Sequence, residues 1–192
     1  MIDRPAPTWI AAGFRVPGEE SADAPAVRLL LSYLSTEAAD SLRAALAQDG
    51  RDAAGATTVR LELLPGASLL AVMAVLDEGV DAERALDRLT RAVMRLARES
   101  DATQLSAVRD SVRLSEAEAS GSVKARGQML AVAQLRLGGH AAYGKLDAAL
   151  AAVQPADLAR VAAAHLRPED AVTLLAGPLA TPSRPAGSEG SR

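Results

Sequence analysis

The chain has 192 residues, 49% of them hydrophobic and 23% charged, with a net charge of −3 and no cysteine. That length suits one domain, or at most two small ones, with a proper core, and the composition excludes a disordered chain. The acidic balance argues against a nucleic-acid binder, and the missing thiols exclude a disulfide scaffold and thiolate zinc sites.

No stretch reaches the roughly 18 apolar residues of a membrane span. The opening MIDRPAPTWIAAGF lacks the basic start and apolar run of a leader, so the expected location is cytoplasmic. Four aromatics, Trp9, Phe14, Tyr33 and Tyr143, are too few for a base-stacking platform or an aromatic cage.

TWIAAGFRVP reads as a strand bounded by Pro7 and Pro17, and GEESAD as a polar loop. APAVRLLLSYLS spaces Val27, Leu30, Leu31 and Leu34 for a helix that opens at Pro25. TEAADSLRAALAQ is a second helical piece, broken by DGRDAAG. Val59, Leu61 and Leu63 then alternate with Thr58, Arg60 and Glu62, as in a half-buried strand. Pro65-Gly66 signals a turn into ASLLAVMAVL, which is apolar enough for a central strand, so the pair reads as a hairpin.

Asp81 can cap the next helix, whose inner face carries Leu86, Leu89, Val93 and Leu96. Asp101 and Gln104 have capping-box spacing ahead of a helix that presents Leu105, Val108 and Val112. Gly121 and Gly127 suggest a bent or broken helix. QMLAVAQLRL and YGKLDAALAAV are two more helical stretches. Pro155 and Asp157 open the last helix, which buries Leu158, Val161, Ala162 and Leu166 and stops at Pro168. AVTLLAG closes as a strand, and residues 179–192 form a Pro/Gly/Ser tail expected to be disordered.

The layout is α+β: a largely antiparallel sheet with helices packed on one face, condensed as β-α-β-β-α-α-α-α-β, in a single domain over residues 1–178. It contains no internal repeat.

No catalytic constellation emerges. A zinc peptidase helix needs two histidines and a carboxylate in H-x-x-E-H or H-E-x-x-H spacing, and the two histidines here, His140 and His165, stand apart. His165 and Glu169 are four residues apart, but Pro168 ends the helix between them, so His165 reads as a helix-end residue suited to the C-terminal dipole. His140 reads as an exposed loop residue. GSVKARG and LGGHAAYG contain glycines without the strand-to-helix context of a phosphate loop. Glu116 and Glu118 diverge on their helix and read as a solvated face. No catalytic and no metal residue is assigned.

DAALAAVQPADLARVAAAHLRPEDAVTLLAGP resembles the closing segment of the M16 (pitrilysin/insulinase) peptidase family, roughly I-x-A-V-T-x-x-D-V-x-R-V-A-x-x-Y-L-x-P and then a strand ending in Gly-Pro. Val153, Pro155, Asp157, Arg160, Val161, Ala162, Leu166, Pro168 and Gly177-Pro178 match. Gln154 stands for the usual threonine cap and His165 for the usual aromatic, which makes His165 a packing position. TWIAAGFRVPGEESADAPAVRLLLSYLS and LDEGVDAERALDRLTRAVMRLARESDATQLSAVRDSV resemble earlier parts of the family's second domain, so the resemblance runs over about residues 5–178.

The resemblance implies a LuxS/M16 metallopeptidase-like fold and the C-terminal, non-zinc domain. Family enzymes close two halves, each of two such domains, over a peptide, with zinc held by H-x-x-E-H in the active half. Zinc is therefore expected on a partner, and no cofactor in this chain. In active pairs this domain supplies an arginine and a tyrosine to substrate; aligned on Leu46, those positions are Ala47 and Ala54, with Arg43 and Arg51 out of register.

Three functions follow as expectations. One is a non-catalytic subunit that pairs with a zinc-bearing M16 subunit or sister domain to form a peptide-processing chamber. Another is a split half or fragment of one active zinc metallopeptidase. The last is a scaffold subunit with no proteolytic role. No nucleic acid and no membrane is implied. SLLAVMAVL and APAVRLLLSYLS are the candidate docking surfaces, with core as the alternative reading of either.

Overall fold

The computed structural model describes residues 7–47, 54–136, 139 and 141–177. His140, Arg51, Pro178 and the tail expected over 179–192 lie outside the described residues.

Strand β1 (Thr8–Pro17) leads to helices α1 (Ala24–Ser35) and α2 (Ala39–Ala45), then to β2 (Ala54–Glu62) and β3 (Ala67–Leu76). Helices α3 (Ala82–Glu99), α4 (Ala102–Ala119), α5 (Val123–Arg136), α6 (Ala141–Ala152) and α7 (Pro155–His165) follow. A 3-10 turn, Pro168–Asp170, then leads to β4 (Val172–Ala176). The α+β class stands as expected, but the described residues hold more helices than the condensed order. A second helix precedes the hairpin, and five helices rather than four precede β4.

The four strands form one antiparallel sheet in the order β2-β3-β1-β4. β3 is central, as its apolar run predicts. It pairs with β1 from Thr8↔Leu76 to Pro17↔Ala67, and with β2 through a single irregularity between Ala54 and Ala56.

Period-two alternation sends Ile10, Ala12, Phe14 and Val16 of β1 and Leu70, Val72 and Ala74 of β3 to one face, where each is at most 1% exposed. That face packs on α1, α3 and α7. Full burial of each large apolar side chain there contributes about 1.5–3 kcal/mol.

α1 is the innermost helix: Ala24, Ala26, Val27, Leu29, Leu30, Tyr33 and Leu34 are all buried. The expectation of a docking surface on APAVRLLLSYLS is therefore wrong. Its apolar residues wrap most of the helix because sheet, α3, α4, α6 and α7 surround it.

Caps fix the helix starts. The Asp81 carboxylate accepts from the Arg84 N–H at 3.1 Å, and Asp101 with Gln104 closes a capping box at 2.8 and 3.2 Å. The helix breaks at Gly121, between Ser120 and Ser122, as expected, but Gly127 breaks nothing and α5 runs through it. Isolated glycines are tolerated in a helix at a cost of about 1 kcal/mol.

Candidate functional site

The other face of the sheet carries no helix among the described residues. Its β1–β3–β4 portion is apolar: Trp9 is 45% exposed, Leu69 44%, Val172 76% and Leu174 59%. Register sets them together. Leu174 lies opposite Ala11, which lies opposite Met73, while Val172 flanks Gly13 and Ala71 beyond it. Small residues in β1 thus leave a shallow floor between larger neighbours. Thr58, Arg60 and Glu62 of β2, together with Arg15, make the far border polar.

SLLAVMAVL contributes to this surface with alternate residues only. Leu69, Ala71, Met73 and Val75 point out while their neighbours fill the core. The expected docking surface is half of that strand.

A second feature lies on the helical side. Arg28 of α1 donates to Glu19 at 3.2 Å, and the Glu19 side chain is only 5% exposed. Beyond Arg28 a cavity of about 330 Å³ reaches Glu116 of α4, with Leu31, Leu61 and Ser115 among its walls. Burial pushes the Glu116 carboxyl above its usual range, and the Arg28 charge offsets part of that. Glu118 is exposed as expected, but Glu116 is half-buried, which corrects its reading as solvated. The spacing of two acids on a helix carries no signal that a neighbouring helix will cover one of them.

His165 sits in the last turn of α7, half-buried, where the sequence places it. Beside it Arg160 forms a two-pronged ion pair with Asp23, at 2.6 and 3.0 Å, and reaches Asp157 at 3.4 Å. The Arg160 hydrogen bond holds the Asp23 carboxyl below its usual range; partial burial opposes this, and the nearby His165 charge adds to it. Asp157 also accepts from the Gln154 N–H at 2.9 Å, while the Gln154 side chain turns back to the Ala152 carbonyl. Two residues that match the peptidase pattern, Asp157 and Arg160, thus clamp α7 to the start of α1 through Asp23.

Among the described residues, no group of three His, Asp or Glu side chains could hold a metal ion. Ala47 follows α2, and its carbonyl accepts from the Arg88 guanidinium of α3. Ala54 opens β2 and is buried. Arg43 pairs with Asp40 on α2, at 2.9 Å. No helix among the described residues is long and apolar enough to cross a membrane.

No family model and no curated protein matches the chain. Solved structures do. The "inactive peptidase domain of a putative zinc protease" from Bordetella parapertussis superposes with TM-score 0.81 at 18% identity, over 95% of this chain and 98% of that one. An M16 peptidase inactive domain from Pseudomonas fluorescens gives 0.70 at 13% identity, over 91% of this chain and 42% of its own.

The chain has the fold of an M16 inactive peptidase domain.

The same fold lies within a longer chain, a protease from Helicobacter pylori. Its TM-score is 0.73 at 17% identity, over 90% of this chain but 41% of the protease. The matched fold spans about two fifths of that protease.

Proposed function

We propose that this chain is a non-catalytic M16-like domain that completes a peptide-processing chamber with a zinc-bearing M16 partner, either a separate subunit or a sister domain. The observation that carries the reading is the uncovered apolar sheet face. A folded domain rarely leaves contiguous apolar surface of this kind to water unless something docks there. Structural neighbours that are more than twice as long as the matched region support a sister unit as the occupant.

The role of this chain is then to shape and to hold. Trp9, Leu69 and Leu174 supply the apolar contact with the partner, and Arg15 and Arg60 supply charge at its border. Ala47 and Ala54, standing where active pairs have an arginine and a tyrosine, leave substrate positioning to the partner. Zinc and the hydrolytic step belong to the partner as well.

Sedimentation of the chain mixed with an M16 polypeptide that carries H-x-x-E-H, from the same host, tests the pairing. One complex of both chains is expected, and Leu69→Asp is expected to weaken it by placing an unpaired charge in the contact. Independent sedimentation of the two chains would contradict the proposal.

A further inference from the structure

The outer side of β4 faces no other strand among the described residues. All five residues of Val172–Ala176 are exposed, including Leu175 at 48% on the side that the helices occupy elsewhere. An edge strand presents a row of unpaired N–H and C=O groups, and natural proteins guard such rows with charge, proline, bulges or a covering segment. VTLLA has no charge and no proline, and its pairing with β1 runs without a bulge. Among the described residues, its shortness is the one guard it has.

We propose that this edge pairs antiparallel with the β4 edge of a second copy of the chain, about a twofold axis through Leu174. The surface is self-complementary in the way that a twofold interface requires. With Leu174 opposite its own mate, Val172 meets Ala176 and Thr173 meets Leu175. In an antiparallel ladder alternate residues send both backbone groups to the same side. Residues that face each other in this register share that parity, so the outward groups of one copy meet the outward groups of the other.

Side chains agree as well. Val172, Leu174 and Ala176 line up on the open face and extend the apolar surface of Trp9 and Ala11 into the second copy. No like charges meet across the axis. The two sheets become one of eight strands, and the sheet face proposed to meet the zinc-bearing partner stays free. A five-residue strand pair is smaller than the roughly 800 Å² per partner of a standard interface, so micromolar affinity is expected.

The absence of cysteine from the chain makes a direct test clean. Facing residues in an antiparallel pair lie about 4.5–5.5 Å apart at Cα, within the range that a disulfide spans. Under mild oxidation, Leu174→Cys is expected to form a covalent dimer about tenfold faster than Val123→Cys, a control 92% exposed on α5. In sedimentation the wild-type chain is expected to dimerise at micromolar concentration. Leu174→Lys, which sets two charges face to face, is expected to remain a monomer with an unchanged thermal melt. A monomeric wild type, equal oxidation rates for the two cysteine variants, or a dimer indifferent to Leu174→Lys would overturn the proposal. So would an edge that accepts only an unrelated peptide strand.

Discussion

A Cβ added at Gly18 would lie 2.2 Å from the Pro65 carbonyl oxygen and 2.6 Å from both the Leu64 oxygen and the Gly66 carbonyl carbon. The loop after β1 is held there by Glu19 N–H to Leu64 O at 2.9 Å and Glu20 N–H to Pro65 O at 3.2 Å. The atoms that it meets are all backbone of Leu64–Gly66, with no flexible side chain to yield. Gly18→Ala is expected to destabilise the domain by about 1–3 kcal/mol, the scale of overpacking, whereas Gly66→Ala, with nothing within 4 Å of its added Cβ, avoids that clash. Urea midpoints of the two variants check this.

The ion pair at α7 gives a residue-scale prediction with a pH sign. Asp23 is held below its usual range, chiefly by the Arg160 hydrogen bond. A carboxyl with a depressed folded-state pKa contributes stability above its unfolded value, about 3.9, and loses it as the pH falls through the folded value. The stability gap between wild type and Arg160→Gln is therefore expected at pH 7 and is expected to close below pH 4. Denaturation midpoints at the two pH values measure it; a gap that persists unchanged into acid would assign Arg160 a packing role instead.

At the scale of elements, α6 is tied to α4 by a contact of long sequence separation. Arg109 of α4 donates to the carbonyls of Leu150 and Val153, at 3.1 and 2.7 Å, where α6 ends. Arg113 of the same helix pairs with Asp147 of α6 at 2.6 Å. Helix C-termini carry unsatisfied carbonyls and a partial negative charge, which a guanidinium meets well. Arg109→Ala is expected to cost about 1.5–3 kcal/mol, the range for hydrogen bonds to charged groups, and to raise amide exchange in α6 before other helices. Uniform exchange changes across the domain would contradict a local role.

Periodicity made the elements legible where one face is buried and the other wet. Leu89, Val93 and Leu96 of α3 and Leu158, Val161 and Ala162 of α7 are buried as their spacing indicates. The caps at Asp81 and Asp101 were legible for the same local reason. α1 misled because a helix enclosed on most sides looks like one with an apolar face to spare. Glu116, Gly18 and Arg109 owe their roles to neighbours far along the chain, and no local pattern encodes those. For the open sheet face, the alternation in β1 and β3 shows two faces, but which one the helices choose depends on packing.

For the whole molecule, the central claim is that the chain supplies structure to a chamber whose chemistry lies elsewhere. The chain alone is expected to hold no stoichiometric zinc after dialysis, because among the described residues no group of three His, Asp or Glu side chains could hold a metal ion. One zinc per chain, lost on His165→Ala, would refute that. The most direct measurement is peptide cleavage by the H-x-x-E-H partner of the same host, with and without this chain. Cleavage is expected to require both chains, to be lost with chelator, and to fall with Leu69→Asp in this chain while its fold is retained. A partner equally active alone, unaffected by adding this chain, would contradict the account.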